Sequence, residues 1–476
     1  MRIESQITPQ DLKPAVERLL ALAAKKVVAL VRSWDPARGT PVFTIRGRYT
    51  SRGWTEWTQG FQYGCALLAF DGTGERKLLE LGRRRTLERM APHLTHTGVH
   101  DHGFNNLSTY GNLRRLMREG RIDQQDWELA YYELALKVSG AVQAARWSGT
   151  PAVPGSAHSA HSPALGYIYS FNGPHSLFVD TLRSTRILGL AWHLGQVLMH
   201  ENDKAANLLK RSVLHGLTTS QYVVWHGDSG SPYDVRGRTA HEALFNRNDG
   251  RFRCRGTQQG YSPFSTWTRG LAWAMLGYAE ELEFFATISP AQFKAATGLD
   301  RRQVLRVYER CAVETCDHYL RDCSAADGIP YWDDGAPGLA RLGDWRQRPA
   351  EPYNDFEPVD SSAAAIAAQG LLRLGRYLGR RGGRYVQAGL GVARTLLAEP
   401  YLATSPKHQG LILHSVYHRP NGWDYIPAGK KVPCGEASLW GDYHALELAI
   451  LIQRLANQGP YPTFFASGKG SSTTKT

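Results

Sequence analysis

Residues 258–273 read Gln258-Gln259-Gly260-Tyr261-Ser262-Pro263-Phe264-Ser265-Thr266-Trp267-Thr268-Arg269-Gly270-Leu271-Ala272-Trp273. The first half contains Gly260 and Pro263, which break regular structure, and Ser265 or Thr266 is placed to cap a following helix. From Thr266 to Glu283 the composition favours a helix. The stretch therefore predicts a loop that turns into a long helix.

Arg269 and Trp273 are four residues apart, so a helix projects both side chains from one face. Indole rings stack on sugars, and a guanidinium group can form two hydrogen bonds to a carboxylate. Together with Trp267, the pair predicts one wall of a site for a flat, anionic ligand. These residues alone leave open the alternative that the tryptophans belong to the core and Arg269 is a surface charge.

The length of 476 residues allows two or three domains, but no obvious linker interrupts the middle of the chain. The apolar content of 42% and the aromatic content of 11% are typical of globular proteins. We therefore predict a single helical domain over residues 1–460. Residues 461–476 end in a polar, low-complexity run and are predicted to form a flexible C-terminal tail.

The formal charge of +13 is compatible with nucleic-acid binding, but the arginines are dispersed and no basic run has the periodicity of a recognition helix. We expect no nucleic-acid partner, and a positive field that attracts small acidic ligands. No apolar run is long enough to span a bilayer, and the N-terminus lacks the pattern of a secretory signal, so no membrane partner is predicted.

The six cysteines have spacings that match no zinc motif, and they indicate reduced thiols in a cytoplasmic protein. The run His100-Asp101-His102 superficially resembles a metal site, but no third and fourth ligands follow at regular spacing. The sequence therefore predicts neither a metal nor a cofactor.

Helical periodicity recurs along the chain, with long loops between the segments. The predicted helices lie near 11–33, 57–70, 76–91, 104–119, 124–147, 178–199, 202–217, 266–284, 301–322, 360–377, 382–399 and 437–457. Strand-like alternation is scarce, as at 251–254 and 410–413. About twelve helices indicate an all-α protein, a toroid of six helical hairpins or (α/α)6 barrel. A longer solenoid is the alternative, but no motif repeats at a fixed period.

Two acidic residues are candidates for catalysis. Asp101 precedes a predicted helix in a run of histidine and aromatic residues, and Asp180 follows the apolar trio Leu177-Phe178-Val179. Burial raises the pKa of a carboxyl group, which suits a general acid near neutral pH, and a second carboxylate nearby raises it further. The alternative for both residues is a helix N-cap.

Other residues are candidates for binding a ligand. His241, Gln258 and Gln259 flank a short turn, and near the carboxylates His241 could hold a sugar hydroxyl or orient a water molecule. Asp360 precedes an alanine-rich run and is predicted to be a structural N-cap. Trp440 begins the last helix, and its ring is placed to reach a cleft.

Taken together and in this order, these motifs resemble the unsaturated glucuronyl hydrolases of glycoside hydrolase family 88. The resemblance extends over roughly residues 50 to 455. Its pieces are Trp57-Thr58-Gln59-Gly60-Phe61, His100-Asp101-His102-Gly103-Phe104, Ser170-Phe171-Asn172 ahead of Asp180, His215-Gly216-Leu217-Thr218-Thr219, His241, Gly256 to Trp273, Ile329 to Asp333, Asp360 to Ala364, His414 to His418 and Trp440 to Tyr443.

The resemblance implies an (α/α)6 barrel and a hydrolase that removes an unsaturated uronic acid from the non-reducing end of an oligosaccharide. Such ends are left by lyases that cleave glycosaminoglycans or similar uronate polymers. In this family, cleavage begins with hydration of the C4=C5 double bond of the sugar and not with attack at the anomeric carbon.

The resemblance also assigns roles to individual residues. Asp180 matches the general acid and base, and Asp101 matches the partner carboxylate that binds sugar hydroxyls. The remaining matches bind the sugar or position water, and they are Trp57, His100, His241, Gln258, Gln259, Trp267, Arg269 and Trp273. Departures from the family pattern are Gln258 in place of a histidine, Thr181 after the acid, and the segments 225–240 and 421–433, which we expect to border the cleft beyond the terminal sugar.

Three other functions remain open at this stage. An unsaturated rhamnogalacturonyl hydrolase would share the barrel and the chemistry but act on pectin fragments. A sugar epimerase on the same toroid would need a pair of histidine bases, and a non-catalytic carbohydrate-binding barrel would not need both Asp101 and Asp180.

Overall fold

The protein is represented by a computed structural model that describes residues 1–53, 56–151 and 164–465. These ranges contain sixteen α-helices: α1 Lys13–Ser33, α2 Gln59–Thr73, α3 Arg76–Arg89, α4 Ala91–Leu94, α5 His102–Asn106, α6 Asn112–Arg118, α7 Asp126–Ala145, α8 Thr181–Ser184, α9 Arg186–His193, α10 Leu208–Tyr222, α11 Thr268–Thr287, α12 Pro290–Thr297, α13 Arg301–His318, α14 Ser361–Leu378, α15 Gly383–Leu396 and α16 Leu439–Ala456. A π-helical segment, Leu107–Gly111, joins α5 to α6, and another, Tyr319–Cys323, continues α13.

Six segments form a closed inner ring in which each contacts the next, namely α2, α5–α6, α8–α9, α11, α14 and α16. Six further helices pack around the outside of this ring, namely α1, α3, α7, α10, α13 and α15. Inner and outer helices alternate along the chain, so the structure is the predicted (α/α)6 barrel. All twelve predicted helical segments are found.

The positions of helices in the ring follow from their sequences. The inner helix α11 is buried on nearly all sides, from Thr268 to Phe285. The outer helix α13 buries one stripe, which includes Val304, Tyr308, Cys311 and Thr315. A helix that is apolar all round suits the interior, and a single apolar stripe suits the outer layer.

The start of α11 and the presence of α12 differ from the prediction. The helix that carries Arg269 begins at Thr268 and has no side-chain cap. Ser265 Oγ instead bonds within its own turn, to Ser262 O, and Thr266 Oγ1 contacts His318 Nε2 at 2.9 Å. The short helix α12 was not predicted; the Ser289 side chain accepts the Gln292 N–H at its N-terminus.

Nine short strands lie in the loops of the described ranges: β1 Pro41–Ile45, β2 Arg48–Ser51, β3 Trp147–Thr150, β4 Leu165–Ile168, β5 Ser176–Phe178, β6 Leu198–Met199, β7 Ala205–Ala206, β8 Glu242–Phe245 and β9 Phe252–Gly256. They form three antiparallel pairs, β1–β2, β3–β4 and β6–β7, and one sheet of order β5–β8–β9. The predicted strand at 251–254 corresponds to β9. The predicted strand at 410–413 forms only an isolated bridge between Leu402 and Ile412.

The two ends of the barrel differ. The N-terminal ends of the inner helices surround a cavity, described below. At the opposite end, residues 461–465 pack against the barrel: the Tyr461 hydroxyl donates to Glu283 Oε1, and the Phe465 ring stacks on Phe284 at 3.9 Å. Contacts with the barrel therefore continue beyond residue 460, while the rest of the predicted tail, 466–476, lies outside the described residues. Within the described ranges, no helix has the length and apolarity to cross a membrane.

Glu281 supplies a pH-sensitive contact between α11 and its neighbours. Its Oε1 atom accepts hydrogen bonds from Thr185 and Ser212, and burial raises the pKa of its carboxyl group to about 8. Because this pKa is higher than in the unfolded chain, the folded state holds an extra proton between pH 4.5 and 8. The contribution of Glu281 to stability is therefore present at low pH and is lost as pH rises towards 8.

We expect Glu281→Gln, which stays neutral, to flatten the decline of the free energy of unfolding between pH 5 and pH 8. Urea unfolding of the wild type and the variant across this range measures the difference. Two parallel curves would show that Glu281 does not carry the extra proton.

Candidate active site

The inner helices converge on one large cavity of about 650 Å³. It is lined by Trp57, His96, Gly98, Val99, His100, Asp101, Phe104, Phe171, Asn172, Asp180, Gln258, Gln259, Trp267, Arg269, Trp273, Tyr417, His418, Asn421 and Trp423. These residues come from distant parts of the chain, and we call this cavity the cleft. Every residue to which the resemblance assigned a catalytic or binding role lines it except His241, which packs directly behind it.

Asp101 and Asp180 reach the cleft from equivalent positions. Asp101 is the N-cap residue of α5 and Asp180 is the N-cap residue of α8, but neither side chain caps its helix. Asp180 is placed by the small sheet, since it follows β5 and the Val179 N–H donates to His241 O at 3.0 Å. The helix-cap alternative is therefore excluded, and both carboxylates are available to a ligand.

His100 lies between the two carboxylates. Its Nε2 atom is 3.3 Å from Asp180 Oδ1 and 3.7 Å from Asp101 Oδ1. Its backbone carbonyl accepts hydrogen bonds from Gln143 and Ser184, and its ring stacks on Phe171. The sequence predicted His100 as a substrate-binding residue, whereas the structure places it as the contact between the two acids.

The contact with His100 determines how the carboxyl groups ionise. Burial would raise the pKa of Asp180, but the hydrogen bond and charge of His100, with smaller contributions from His241 and Arg269, hold it below its ordinary value. Burial and the charge of Asp180 raise the pKa of Asp101. The pKa of His100 is raised, since its two carboxylate neighbours outweigh burial. Burial therefore acts on Asp180 in the expected direction, but the expected net rise of its pKa is not found, because the neighbouring groups outweigh burial.

We expect His100→Phe to raise the pKa of Asp180 above 3.8, its ordinary value. Phenylalanine keeps a ring beside Phe171 but removes the hydrogen bond and the charge, so burial becomes the dominant influence. Carboxyl-carbon NMR titration measures the shift, and the signal that disappears in Asp180→Asn identifies the residue. An Asp180 pKa that stays below 3.8 in His100→Phe would contradict the role of His100.

His241 supports the loop that carries the two glutamines. Its Nδ1 atom accepts the Gln258 N–H at 2.9 Å, and its ring lies edge-on to Trp267. Burial lowers the pKa of His241 to about 4, so the ring is neutral and Nε2 carries its proton. His241 therefore positions Gln258 and Trp267, and it interacts electrostatically with Asp180.

Arg269 lines the cleft, and its guanidinium group is engaged by other parts of the protein. Its Nη1 atom donates to Asp360 Oδ2 at 2.9 Å, and Nη2 donates to Gln259 Oε1 at 2.9 Å and to Tyr417 O at 2.7 Å. Nη1 also contacts Val416 O. In the structure this arginine is a buried tie between the Gln259 loop, α14 and the 416–417 loop, and its fork onto a sugar carboxylate stays a prediction. Asp360 also caps α14, as predicted.

Aromatic rings form most of the cleft wall. Trp57 stacks on Trp440 with centroids 5.3 Å apart, and Trp273 packs against Phe104 at 5.0 Å. The Arg269 guanidinium lies 4.6 Å over the Trp267 ring. Trp440 is fully buried behind Trp57 and does not reach the cleft, contrary to the prediction.

The far wall comes from a loop whose individual site residues were not predicted. Tyr417, His418, Asn421 and Trp423 line the cleft, and the Asp424 carboxylate holds this loop by accepting the Tyr417 and His418 N–H groups at 2.5 and 3.0 Å. Phe104, Phe171 and Asn172 were quoted within motifs but not assigned to the site. The sequence signal that could have indicated this loop is Asp424, which follows the Asn421-Gly422 turn.

The segment 225–240 does not line the cleft. His226 and Asp228 contact Glu314 and Arg310 on the outer helix α13 instead. Tyr233 packs on the exposed Phe264 ring at 4.6 Å. The prediction that this segment borders the cleft is therefore wrong, because it is anchored to the outside of the barrel.

His102 does not share the role of His100. Its Nδ1 atom contacts Ser139 Oγ at 2.9 Å, and its Nε2 atom contacts His96 O at 3.0 Å. Both ring nitrogens are therefore engaged by the protein. This geometry makes His102 a packing residue that fixes the start of α5.

No protein-family model matches the chain. An unsaturated glucuronyl hydrolase from Bacillus sp. (strain GL1) is 25% identical over 324 residues, which cover 61% of this chain and 74% of that protein. An unsaturated chondroitin disaccharide hydrolase from Streptococcus agalactiae serotype III (strain NEM316) is 23% identical and covers 92% of this chain and 91% of its own length.

Solved structures agree with these sequence relatives. The Bacillus sp. GL1 unsaturated glucuronyl hydrolase, described as responsible for the degradation of glycosaminoglycan, superposes with a TM-score of 0.64 at 20% identity, covering 92% of this chain and 96% of that one. An Asp-to-Asn variant of a Streptococcus agalactiae unsaturated glucuronyl hydrolase, complexed with dGlcA-GalNAc6S, gives 0.58 at 19% identity, with coverage of 94% and 97%. The chain thus resembles the unsaturated glucuronyl hydrolases in sequence and has their fold.

Proposed function

We propose that this protein is an unsaturated glucuronyl hydrolase. It removes a 4,5-unsaturated uronic acid from the non-reducing end of oligosaccharides that lyases release from glycosaminoglycan-type polymers. The observation that carries the proposal is the triad Asp101–His100–Asp180 at one side of an aromatic cleft. The relationship to hydrolases of unsaturated glucuronyl and chondroitin disaccharides supports the substrate class.

The reaction is a hydration followed by collapse of the product. Asp180 donates a proton to C4 of the sugar, and the oxygen of a water molecule bonds to C5 while Asp180 takes up a proton from that water. The resulting hemiketal opens by breaking the bond between C5 and the ring oxygen. The hemiacetal left at C1 then releases the rest of the oligosaccharide, so the net change is addition of water.

The triad supplies Asp180 with its proton. The proton starts on the imidazole of His100, because the pKa of His100 is raised while that of Asp180 is lowered. The substrate brings a carboxylate into the cleft and excludes water. Both effects favour the neutral form of Asp180, so substrate binding moves the proton from His100 to the acid.

The barrel favours an anionic ligand even though the Arg269 charge is paired with Asp360. The inner helices α2 and α11 begin beside residues that line the cleft, and the N-terminal end of a helix carries a partial positive charge. Asn172, Gln258 and Asn421 add neutral polar side chains to the lining. Aromatic faces, above all that of Trp57, provide the surface on which the flat unsaturated ring packs.

A panel of lyase-generated disaccharides tests the function. The conjugated double bond absorbs in the ultraviolet, and hydration removes that absorbance. The panel contains sulfated and unsulfated glycosaminoglycan disaccharides, with an unsaturated galacturonyl-rhamnose from pectin for the rhamnogalacturonyl alternative. Loss of absorbance with only the pectin fragment would select the alternative, and no loss with any of them would refute both.

The cysteines support a reducing compartment, which we propose to be the cytoplasm. All six lie within the described ranges and are free, and five of them are buried. A chain built to fold in an oxidising compartment would be expected to pair such residues.

A further inference from the structure

A second cluster of chemically reactive side chains lies behind the wall of the cleft. Among the described residues, His318, Cys323 and Asp334 each place one ligand atom so that the three atoms lie within 4.8 Å of one another. His318 Nε2 is 3.2 Å from Asp334 Oδ2, and Cys323 Sγ is 3.8 Å from the same oxygen. All three side chains are buried or nearly so. We call this group the His318 cluster.

Hydrogen bonds from surrounding residues fix the side chains of the cluster. His318 Nδ1 contacts Asp322 Oδ2 at 2.8 Å, and Arg321 donates to that same carboxylate oxygen. Asp334 Oδ1 accepts the Thr266 N–H at 2.7 Å, which directs Oδ2 towards His318. A histidine that binds a metal through one ring nitrogen usually donates a hydrogen bond from the other ring nitrogen to a carboxylate, which fixes the ring. Asp322 has that position at His318, and Nε2 faces the other ligands of the cluster.

We propose that the His318 cluster binds one divalent transition-metal ion of the zinc class. Imidazole, thiolate and carboxylate are the ligands that zinc takes in proteins, and hard ions such as Mg²⁺ avoid sulfur. A tetrahedral zinc ion needs ligand atoms about 3.4–3.7 Å apart, which follows from bond lengths of about 2.0–2.3 Å. The His318–Asp334 separation of 3.2 Å lies just below this range and the Cys323–Asp334 separation of 3.8 Å lies just above it, so the side chains need to shift by only a few tenths of an ångström to bind the ion.

Thr266 Oγ1 lies 2.9 Å from His318 Nε2 and offers an oxygen for the fourth position, directly or through water. Binding displaces the proton of the Cys323 thiol and any proton on His318 Nε2, so the ion replaces the hydrogen bonds that hold the cluster together. The competing interpretation is a protonated His318 between two carboxylates, with no ion. That arrangement is an outcome of the test below.

The location gives the ion a structural effect on the cleft. Thr266 immediately precedes Trp267, and Trp267 forms a backbone bridge with Asp333, the neighbour of Asp334. An ion at the cluster therefore links α13 and the 333–334 loop to Thr266 and Trp267, the residues that precede α11. This inference does not depend on the proposed reaction, since it concerns metal binding alone.

Cobalt is a suitable probe, because Co²⁺ takes zinc sites and a Co²⁺–thiolate bond gives a charge-transfer absorption. The cluster is buried, so the full-length protein is produced in cobalt-supplemented medium and loaded as it folds. We expect one bound ion per chain, the thiolate absorption, and a Tm about 3 °C above that of the metal-free protein at saturation.

Cys323→Ser is expected to lose the absorption, whereas Cys316→Ser, which removes another buried thiol of the same segment, is expected to keep it. Asp334→Asn keeps the thiolate but is expected to bind much less cobalt, and it provides the test if Cys323→Ser does not fold. Wild-type protein without the absorption, or Cys323→Ser that retains it, would overturn the site in favour of the metal-free histidine–carboxylate arrangement.

Discussion

Asp180→Asn is expected to lower kcat by at least about 10²–10⁴-fold while leaving substrate binding largely intact. The amide has nearly the shape of the carboxylic acid but cannot transfer a proton to C4 or receive one from water. Asp180 does not cap α8, so the change removes no helix contact. Loss of ultraviolet absorbance under single-turnover conditions measures the chemical step, and quenching of tryptophan fluorescence measures binding.

Asp228→Asn is the matched control for that variant. Asp228 is an exposed carboxylate that contacts Arg310 on the outside of the barrel, away from the cleft. The same change in chemistry there is expected to leave kcat within about twofold of the wild type. An Asp180→Asn enzyme with a near-wild-type rate would remove Asp180 from the role of proton donor.

Comparing variants of Asp180 and Asp101 distinguishes the residue that transfers the proton from the residue that binds the sugar. Asp101 approaches His100 at 3.7 Å, further than Asp180 does, and its pKa is raised. In the proposed reaction Asp180 transfers the proton to C4, whereas Asp101 binds sugar hydroxyls. A loss in Asp180→Asn that greatly exceeds the loss in Asp101→Asn would agree with this division of roles.

Much of the fold was predictable because the helical pattern is local. The inner helix α11 is apolar on nearly every face, and the outer helix α13 has a single apolar stripe, so each sequence segment indicates its own layer. The motif around Asp101 and the one around Asp180 were predictable as site residues for the same reason. Each carboxylate belongs to the residue just before an inner helix, at the end of the barrel where the loops form the cleft.

Partners across the barrel were not predictable, since nothing local reports them. Asp360 is 91 residues from Arg269, and the ion pair between them makes Arg269 a structural tie that the local sequence does not indicate. The position of His100 between two acids depends on loops 80 residues apart. The His318 cluster draws its thiol and its imidazole from one helical segment but its carboxylate from a later loop, so cysteine spacing alone gave no signal.

Arg269→Met is expected to destabilise the protein strongly, by about 3–5 kcal/mol in the free energy of unfolding. The change leaves the Asp360 carboxylate buried without the cation it faces at 2.9 Å. It also removes the donors to Gln259 Oε1 and to the carbonyl of Tyr417, which shape two sides of the cleft. Urea unfolding monitored by circular dichroism measures the loss.

The double variant Arg269→Met/Asp360→Asn separates the unpaired charge from the lost packing. An asparagine at 360 keeps an Oδ1 atom for the Ser362 N–H, so the cap of α14 survives while the buried negative charge is removed. Because breaking a buried ion pair costs more than replacing both partners, the double variant is expected to be more stable than Arg269→Met alone. If the two are equally destabilised, the loss comes from packing and not from the charge.

Kinetics of the same variants decide whether Arg269 contacts the sugar. If Arg269 binds the substrate carboxylate, replacing it raises KM and leaves the free energy of unfolding nearly unchanged. A structural tie instead lowers stability first, and kcat and KM change together as the Gln259 and Tyr417 loops lose their anchor. If Arg269→Met has wild-type stability and only a raised KM, the guanidinium group binds the sugar. The four hydrogen bonds that Arg269 donates within the protein would then rearrange when the substrate binds.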